Sequence, residues 1–156
     1  MVVFRNVDVP ADAPVATWPY EALVTVLEDG LVSDWQPVIA EIRRDPWGRV
    51  ARLIEGYARA VNEHPSTEFP AGGFDAQRAL ATFLTLIIDS ARRAVEDRER
   101  TEVAERVRHA LLRSGLTARQ FAERLGTSAS RFSTYANGTV MPSAALLLRM
   151  ERLAQG

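Results

Sequence analysis

The sequence predicts an all-α protein in two parts, a helical N-terminal region followed by a compact set of short helices. Three observations carry this. Apolar residues recur at spacings of three and four, the period of a helix face, in most segments of the chain. Residues suited to capping helix N-termini, such as Asp75, Thr117 and Ser128, stand just ahead of those runs. Between Asp75 and Ser114 there is neither Gly nor Pro, so nothing in that stretch forbids a helix. A chain of 156 residues has room for one large domain or two small ones.

Residues 1–16 alternate weakly (Val2, Phe4, Val7, Val9) before Pro10 and Pro14, which reads as an extended arm or a short edge strand. From Thr17 the signals sharpen. Pro19 suits a first helical turn, Leu23, Val24, Val26 and Leu27 follow on one side, and Gly30 stands just past the end, where Leu31 can fold back onto Val26. Ser33-Asp-Trp-Gln36 has the form of a capping box, in which the serine oxygen caps the third amide and Gln36 reaches back. It opens a second helix, 34–44, that buries Trp35, Val38, Ile39 and Ile42. Asp45-Pro46 ends that helix and starts a third, because aspartate caps and proline fits a first turn. The third helix runs through Val50, Leu53, Ile54, Tyr57 and Val61 to about Glu63. The three tryptophans read as core and staple residues, with a partner-facing surface as the alternative for Trp47.

His64 to Phe74 holds two prolines and a Gly-Gly pair and reads as a loop. Asp75 then caps a long amphipathic segment with Leu80, Phe83, Leu84, Ile87, Ile88 and Ala91 on one stripe. Either one helix of about forty residues links the two parts, or a break falls in the charged run Glu96–Thr101. Thr101 is a good cap for a helix carrying Val103, Val107 and Leu111, which favours a break or kink there.

The stretch from Leu116 to Gly138 reads as two short helices around a tight turn. Thr117 caps the first, which carries Phe121, Ala122 and Leu125 on one face. Gly126 sits where that helix must stop, since a residue without Cβ takes the left-handed turn conformation cheaply. Ser128 caps the second, Phe132 and Tyr135 turn its apolar face inward, and Asn137-Gly138 ends it. A small residue at Ala122 permits a close crossing, the glycine makes the corner and Phe132 anchors it, as a helix-turn-helix requires.

Over roughly residues 101–155 this pattern resembles the Cro/repressor type of helix-turn-helix, the XRE family, with Pro142-Ser143 and Leu146-Leu147-Leu148 in place of the following helix. The resemblance implies a C-terminal helix-turn-helix bundle (101–155), and the residues before it read as an extended arm (1–16) and a helical N-terminal domain (17–98), an all-α fold throughout. The resemblance also implies that the start of the second short helix enters the major groove of double-stranded DNA. Carried over by position, the base-contacting candidates are Ser128, Ala129, Ser130, Arg131 and Thr134. Arg131 is the one side chain among them able to fork onto a guanine edge, and it is equally able to grip phosphate. Thr117, Arg119, Asn137 and Thr139 fall where the family contacts the backbone. Two departures stand out. Ala118 occupies a position where the family often has a phosphate-clamping Gln. Leu111 and Ala136 occupy the positions of a buried Arg–Glu pair, and both partners are absent together, so no lone charge is left buried.

Composition narrows the function. Nothing approaches the ~18 apolar residues of a membrane span, and the start Met1-Val-Val-Phe-Arg-Asn lacks the plan of a signal peptide. Zero cysteines exclude disulfides and thiolate chemistry. A cytoplasmic protein is expected. Residues 101–156 hold eight Arg against four Glu, a balance of +4, while residues 1–100 hold eleven Arg against sixteen acidic residues, a balance of −5. The basic part is therefore the part that resembles a DNA-binding domain. All nineteen cations are Arg. His64 and His109 belong to no nucleophile or metal motif, Gly72-Gly73 lacks the lysine of a phosphate loop, and Glu41, Glu55 and Asp89 read as exposed helix carboxylates. Catalysis, cofactor and metal are not expected. The expected function is sequence-specific transcriptional regulation by a homodimer joined through the acidic N-terminal domain. The alternative is an antitoxin-like protein whose N-terminal domain binds a partner protein while its C-terminal domain autoregulates.

Overall fold

The computed structural model describes residues 9, 10, 12–30, 32–64 and 76–155. Readings that fall on residues 1–8, on Leu31 and on the loop after His64 through Asp75 lie outside them. The described chain contains α1 (Tyr20–Asp29), α2 (Gln36–Arg44), α3 (Arg49–Glu63), α4 (Ala76–Ser114), α5 (Ala118–Leu125), α6 (Ala129–Ala136) and α7 (Ala144–Leu153), with short 3-10 turns at Val15–Thr17 and Val32–Trp35. No strand occurs among the described residues, so the fold is all-α. The edge strand considered for the arm is absent from its described part, where Val15–Thr17 is a 3-10 turn instead. Two compact units, Met1–Arg93 and Ala94–Gly156, divide within α4.

In the first unit the apolar faces of α1, α2, α3 and the start of α4 close on Leu23, Val26, Leu27, Val38, Ile42, Ile54, Leu84 and Ile88, each almost wholly buried. Trp18 is buried, and its indole N–H donates to the Ala13 carbonyl at 2.9 Å. Trp35 is half-buried, donates to the Val26 carbonyl at 3.0 Å, and lies tilted against Phe83. Phe83 remains exposed, so the buried stripe of α4 is narrower than its periodicity suggested and centres on Ala81, Leu84, Ile88 and Ala91.

Three local expectations are corrected. The Ser33–Gln36 capping box does not form: residues 32–35 take a 3-10 turn, and α2 begins at Gln36 without a side-chain cap. Pro37 explains the shift. A helix capped at Ser33 would place Pro37 where its missing N–H should bond the Ser33 carbonyl, whereas a start at Gln36 puts it in the tolerant first turn. The third helix begins at Arg49, not Pro46. Asp45 caps the C-terminal end of α2, and a turn closed by Gly48 N–H on the Asp45 carbonyl (3.0 Å) separates the helices. The Pro46 carbonyl, which a helix starting there would use internally, accepts Arg92 Nε–H at 3.0 Å. Trp47 is consequently exposed rather than core, with the Arg92 guanidinium 5.9 Å from its ring centroid. Arg92 also forks onto Glu55 at 2.6 and 3.1 Å, which holds its pKa above the usual arginine value.

The third correction concerns the charged run. No break falls at 96–101, and α4 continues through it to Ser114. Thr101 does not cap; its hydroxyl donates to the Asp97 carbonyl one turn back at 2.9 Å. The strong helix formers Glu96, Arg98, Glu99 and Arg100, with Asp97 and Arg100 one turn apart at 3.9 Å, give the backbone no reason to leave the helix.

Candidate nucleic-acid interface

The second unit is built on Val107 and Ala110 of α4, against which α5, α6 and α7 pack Phe121, Ala122, Leu125, Phe132, Tyr135 and Met150. Phe121 and Phe132 meet edge to face, with centroids 5.4 Å apart, a favoured aromatic geometry that fixes the crossing of α5 and α6. The ends of these helices are specified locally. Thr117 Oγ1 accepts the Gln120 N–H at 3.3 Å while Gln120 Oε1 accepts the Thr117 N–H at 3.0 Å, a complete capping box. Its second arm lies in the sequence as Thr-x-x-Gln, a signal that extends the single cap expected at Thr117.

Gly126 has φ +72°, and the Thr127 and Gly126 amides return to the Ala122 and Glu123 carbonyls. This paired closure of a left-handed helix end is the Schellman arrangement. The end of α6 repeats it one helix later: Gly138 has φ +72°, with Thr139 N–H on Thr134 O and Gly138 N–H on Tyr135 O. Ser128 caps α6 by accepting the Arg131 amide at 3.1 Å, and Ser143 caps α7 by accepting the Leu146 amide at 3.2 Å.

The expected contact residues occupy the following positions. Ser128, Ala129, Ser130 and Arg131 are exposed at the cap and first turn of α6, and Thr134 is half-buried one turn on. The Thr134 hydroxyl donates to the Arg131 carbonyl at 2.7 Å, leaving oxygen lone pairs and a methyl group for any ligand. Ser128 and Ser130 share a hydrogen bond of 3.1 Å. Thr117 and Arg119 are exposed at the start of α5, and Arg119 pairs with Glu123 at 3.1 Å in a fully solvated i,i+4 bridge. Such bridges contribute at most about 1 kcal/mol, so Arg119 is easily released to another anion. Asn137 and Thr139 are exposed in the turn after α6, where Asn137 Nδ2 donates to Ser133 at 3.3 Å.

Arg131 departs from a freely extended side chain. Its Nε–H donates to the Tyr135 hydroxyl at 2.9 Å, and both line an open cleft with Thr127, Ser128, Ser143 and Arg149. Sequence reading did not single out Arg149, Ser143 or Tyr135 for this cleft, because α7 meets α6 only in the folded unit. From Thr117 to Gln155 there are five arginines and two glutamates, so the surface built by α5, α6 and α7 is basic.

The histidines and carboxylates weighed for catalysis are dispersed. His64 ends α3, while His109 lies exposed on α4 beside the Arg106–Glu151 pair. Glu41 is held by Arg44 and Glu55 by Arg92. Among the described residues no group of three potential ligands is placed to hold a metal, and no helix is long and apolar enough to cross a membrane.

No curated protein and no solved structure matches the chain. Residues 98–155 match the family model of a helix-turn-helix domain, so the C-terminal part of this chain is a helix-turn-helix domain, as the Thr117–Gly138 pattern implied.

Proposed function

We propose that the chain is a sequence-specific DNA-binding regulator of transcription that acts as a homodimer and lays α6 in the major groove. The surface of α6 carries the reading. Its cap and first turn present only small or hydrogen-bonding side chains to solvent, Ser128 to Arg131, while Phe132 and Tyr135 anchor the opposite face in the core. A groove-reading helix needs that division, since base edges are reached by short polar groups on a rigidly seated helix. Thr134 extends the same surface by one turn. Thr117, Arg119, Asn137 and Thr139 flank it and are assigned to backbone phosphates, which position a domain without reading sequence.

Charge supports the assignment. The basic excess lies in α5–α7, and the acidic excess lies in residues 1–100, which are thereby kept off DNA and left to join two copies. One module of this size makes few phosphate contacts, and two-fold pairing is the common route to specific affinity. The test is selection of bound duplexes from a random pool by the full-length protein. The expected result is an inverted repeat whose half-sites are centred one helical turn, about 10 base pairs, or a multiple of it apart. No enrichment over random sequence ends the DNA-reading proposal, and a single asymmetric site ends the dimeric part of it.

A further inference from the structure

We propose that Tyr135 is a positioning residue which turns Arg131 away from the base edges, so that Arg131 and Arg149 together clamp one DNA backbone phosphate. The proposal rests on the DNA-binding reading above and assigns a role within it.

An exposed arginine on a helix ordinarily samples many rotamers. Here one of its five donors is taken. Arg131 Nε–H bonds the hydroxyl of Tyr135, one turn further along α6, at 2.9 Å. The Tyr135 ring is 5% exposed and packed in the core, so its hydroxyl is a fixed point. A guanidinium tied to residue i+4 lies along the helix axis, whereas forking onto a guanine edge requires it to stand out from the helix. Among the described residues no hydrogen bond occupies its terminal amino groups, and Arg131 lines the same cleft as Arg149, whose own Nε–H donates to the Ala145 carbonyl at 3.4 Å.

That cleft has the composition of an anion site. Its lining residues include two arginines and the hydroxyl-bearing Thr127, Ser128 and Ser143, with no Asp or Glu. Several other arginines on the described surface do have acidic partners: Arg44, Arg92, Arg100, Arg106 and Arg119 each pair with Asp or Glu. Arg131 and Arg149 have no ion pair among the described residues. Two like charges in one concavity repel, and a phosphodiester relieves the repulsion while accepting forked bonds from both. Ser143 reinforces the fit, because its oxygen accepts the Leu146 amide and its hydroxyl proton is left to donate.

The experiment compares wild type with Tyr135→Phe, Arg131→Ala and Arg149→Ala, all in the full-length protein on the selected duplex. Each backbone phosphate is replaced in turn by a neutral methylphosphonate, and affinity is measured from 50 to 200 mM salt. In wild type, one replacement per half-site should weaken binding several-fold. In all three variants that same replacement should weaken binding less than it does in wild type, because one of the two arginines no longer grips the phosphate. Their log–log salt slopes should be shallower by up to about 0.9, at most a roughly threefold smaller loss of affinity across that salt range. Arg131→Ala should leave base preference intact, and Tyr135→Phe should melt with wild type, because the ring stays in place. A Tyr135→Phe protein that keeps both the slope and the phosphate sensitivity overturns the positioning role. Arg131→Ala altering preference at one base pair, with an unchanged slope, overturns the clamp in favour of base reading. A wild-type protein that binds no duplex overturns the DNA-binding reading itself.

Discussion

Arg108, on α4, donates Nη1–H to the main-chain carbonyl of Ala136 at 2.6 Å and so ties the last turn of α6 to α4. That carbonyl is one of the orphan acceptors at a helix C-terminus, where a cation also complements the helix dipole. In the Cro/repressor type that the C-terminal part resembles, a buried Arg–Glu pair often stands at this junction. Here the corresponding residues, Leu111 and Ala136, are half-buried and apolar against the core. The tie is retained one turn earlier by a different arginine acting on the backbone, which removes the need to bury two charges.

Replacing Arg108 should therefore loosen the end of α6. Arg108→Ala should cost about 1 kcal/mol, below the usual range for a charged hydrogen bond because the side chain is exposed. Amide exchange at Thr139 and Val140, which both bond the Thr134 carbonyl, should quicken about fivefold. Arg108→Lys should recover part of the loss by keeping the charge. Unchanged exchange in Arg108→Ala shows that the contact carries no stability.

Thr101 tests the continuity of α4. An N-cap threonine replaced by alanine costs about 1 kcal/mol. A mid-helix threonine whose hydroxyl bonds the carbonyl four residues back should gain from the same change, by up to about 0.7 kcal/mol, through the better propensity of alanine. Thermal melting should accordingly show Thr101→Ala at or slightly above wild type. A clear drop in melting temperature means that the helix starts anew at 101.

The contrast between Thr101 and Ser128 explains how much was legible in the sequence. Caps at Thr117, Ser128 and Ser143 were readable because their hydrogen bonds close within three residues and a glycine or proline marks each boundary. The second unit's elements, and the placement of Ser128–Arg131 on an exposed turn, follow from those local signals together with Phe121 and Phe132. The first unit departs from its local signals where distant residues decide. Asp45-Pro46 has every local mark of a helix start, yet Arg92, 46 positions later, claims the Pro46 carbonyl and lies over Trp47. The Arg131–Tyr135–Arg149 cleft was hidden for the same reason, since α7 must dock before Arg149 reaches α6.

The turn between α5 and α6 should depend on backbone conformation alone. Gly126 has φ +72°, and a Cβ built on it meets nothing within 4 Å, so substitution tests strain without a clash. Gly126→Ala should cost about 1–2 kcal/mol, and Gly126→Asn less, because asparagine tolerates the left-handed region. For a unit of this size the alanine variant should melt roughly 4–8 °C lower per kcal/mol lost. Equal stability of the alanine variant and wild type would mean the turn adopts another conformation.

Reading and positioning should separate within the helix-turn-helix. Thr134 has its hydroxyl proton on the Arg131 carbonyl and its oxygen and methyl free, so Thr134→Ala removes one local bond and should leave the fold intact. On DNA it should alter preference at one or two base pairs, costing roughly 1–3 kcal/mol on the best site. Arg119, held by one solvated bridge to Glu123, should act on phosphate. Arg119→Ala should weaken all sequences alike and flatten the salt dependence by about one phosphate. Phe132 is 2% exposed and edge-on to Phe121, and Phe132→Ala should cost about 3–5 kcal/mol, enough to unfold the unit rather than change its specificity. Binding of each variant to the selected site and to a scrambled duplex at several salt concentrations, with thermal melts alongside, distinguishes the three. If Thr134→Ala lowers both affinities equally while Arg119→Ala changes base preference, α5 and not α6 lies in the groove, because only the helix against the base edges can make its side chains sequence-selective.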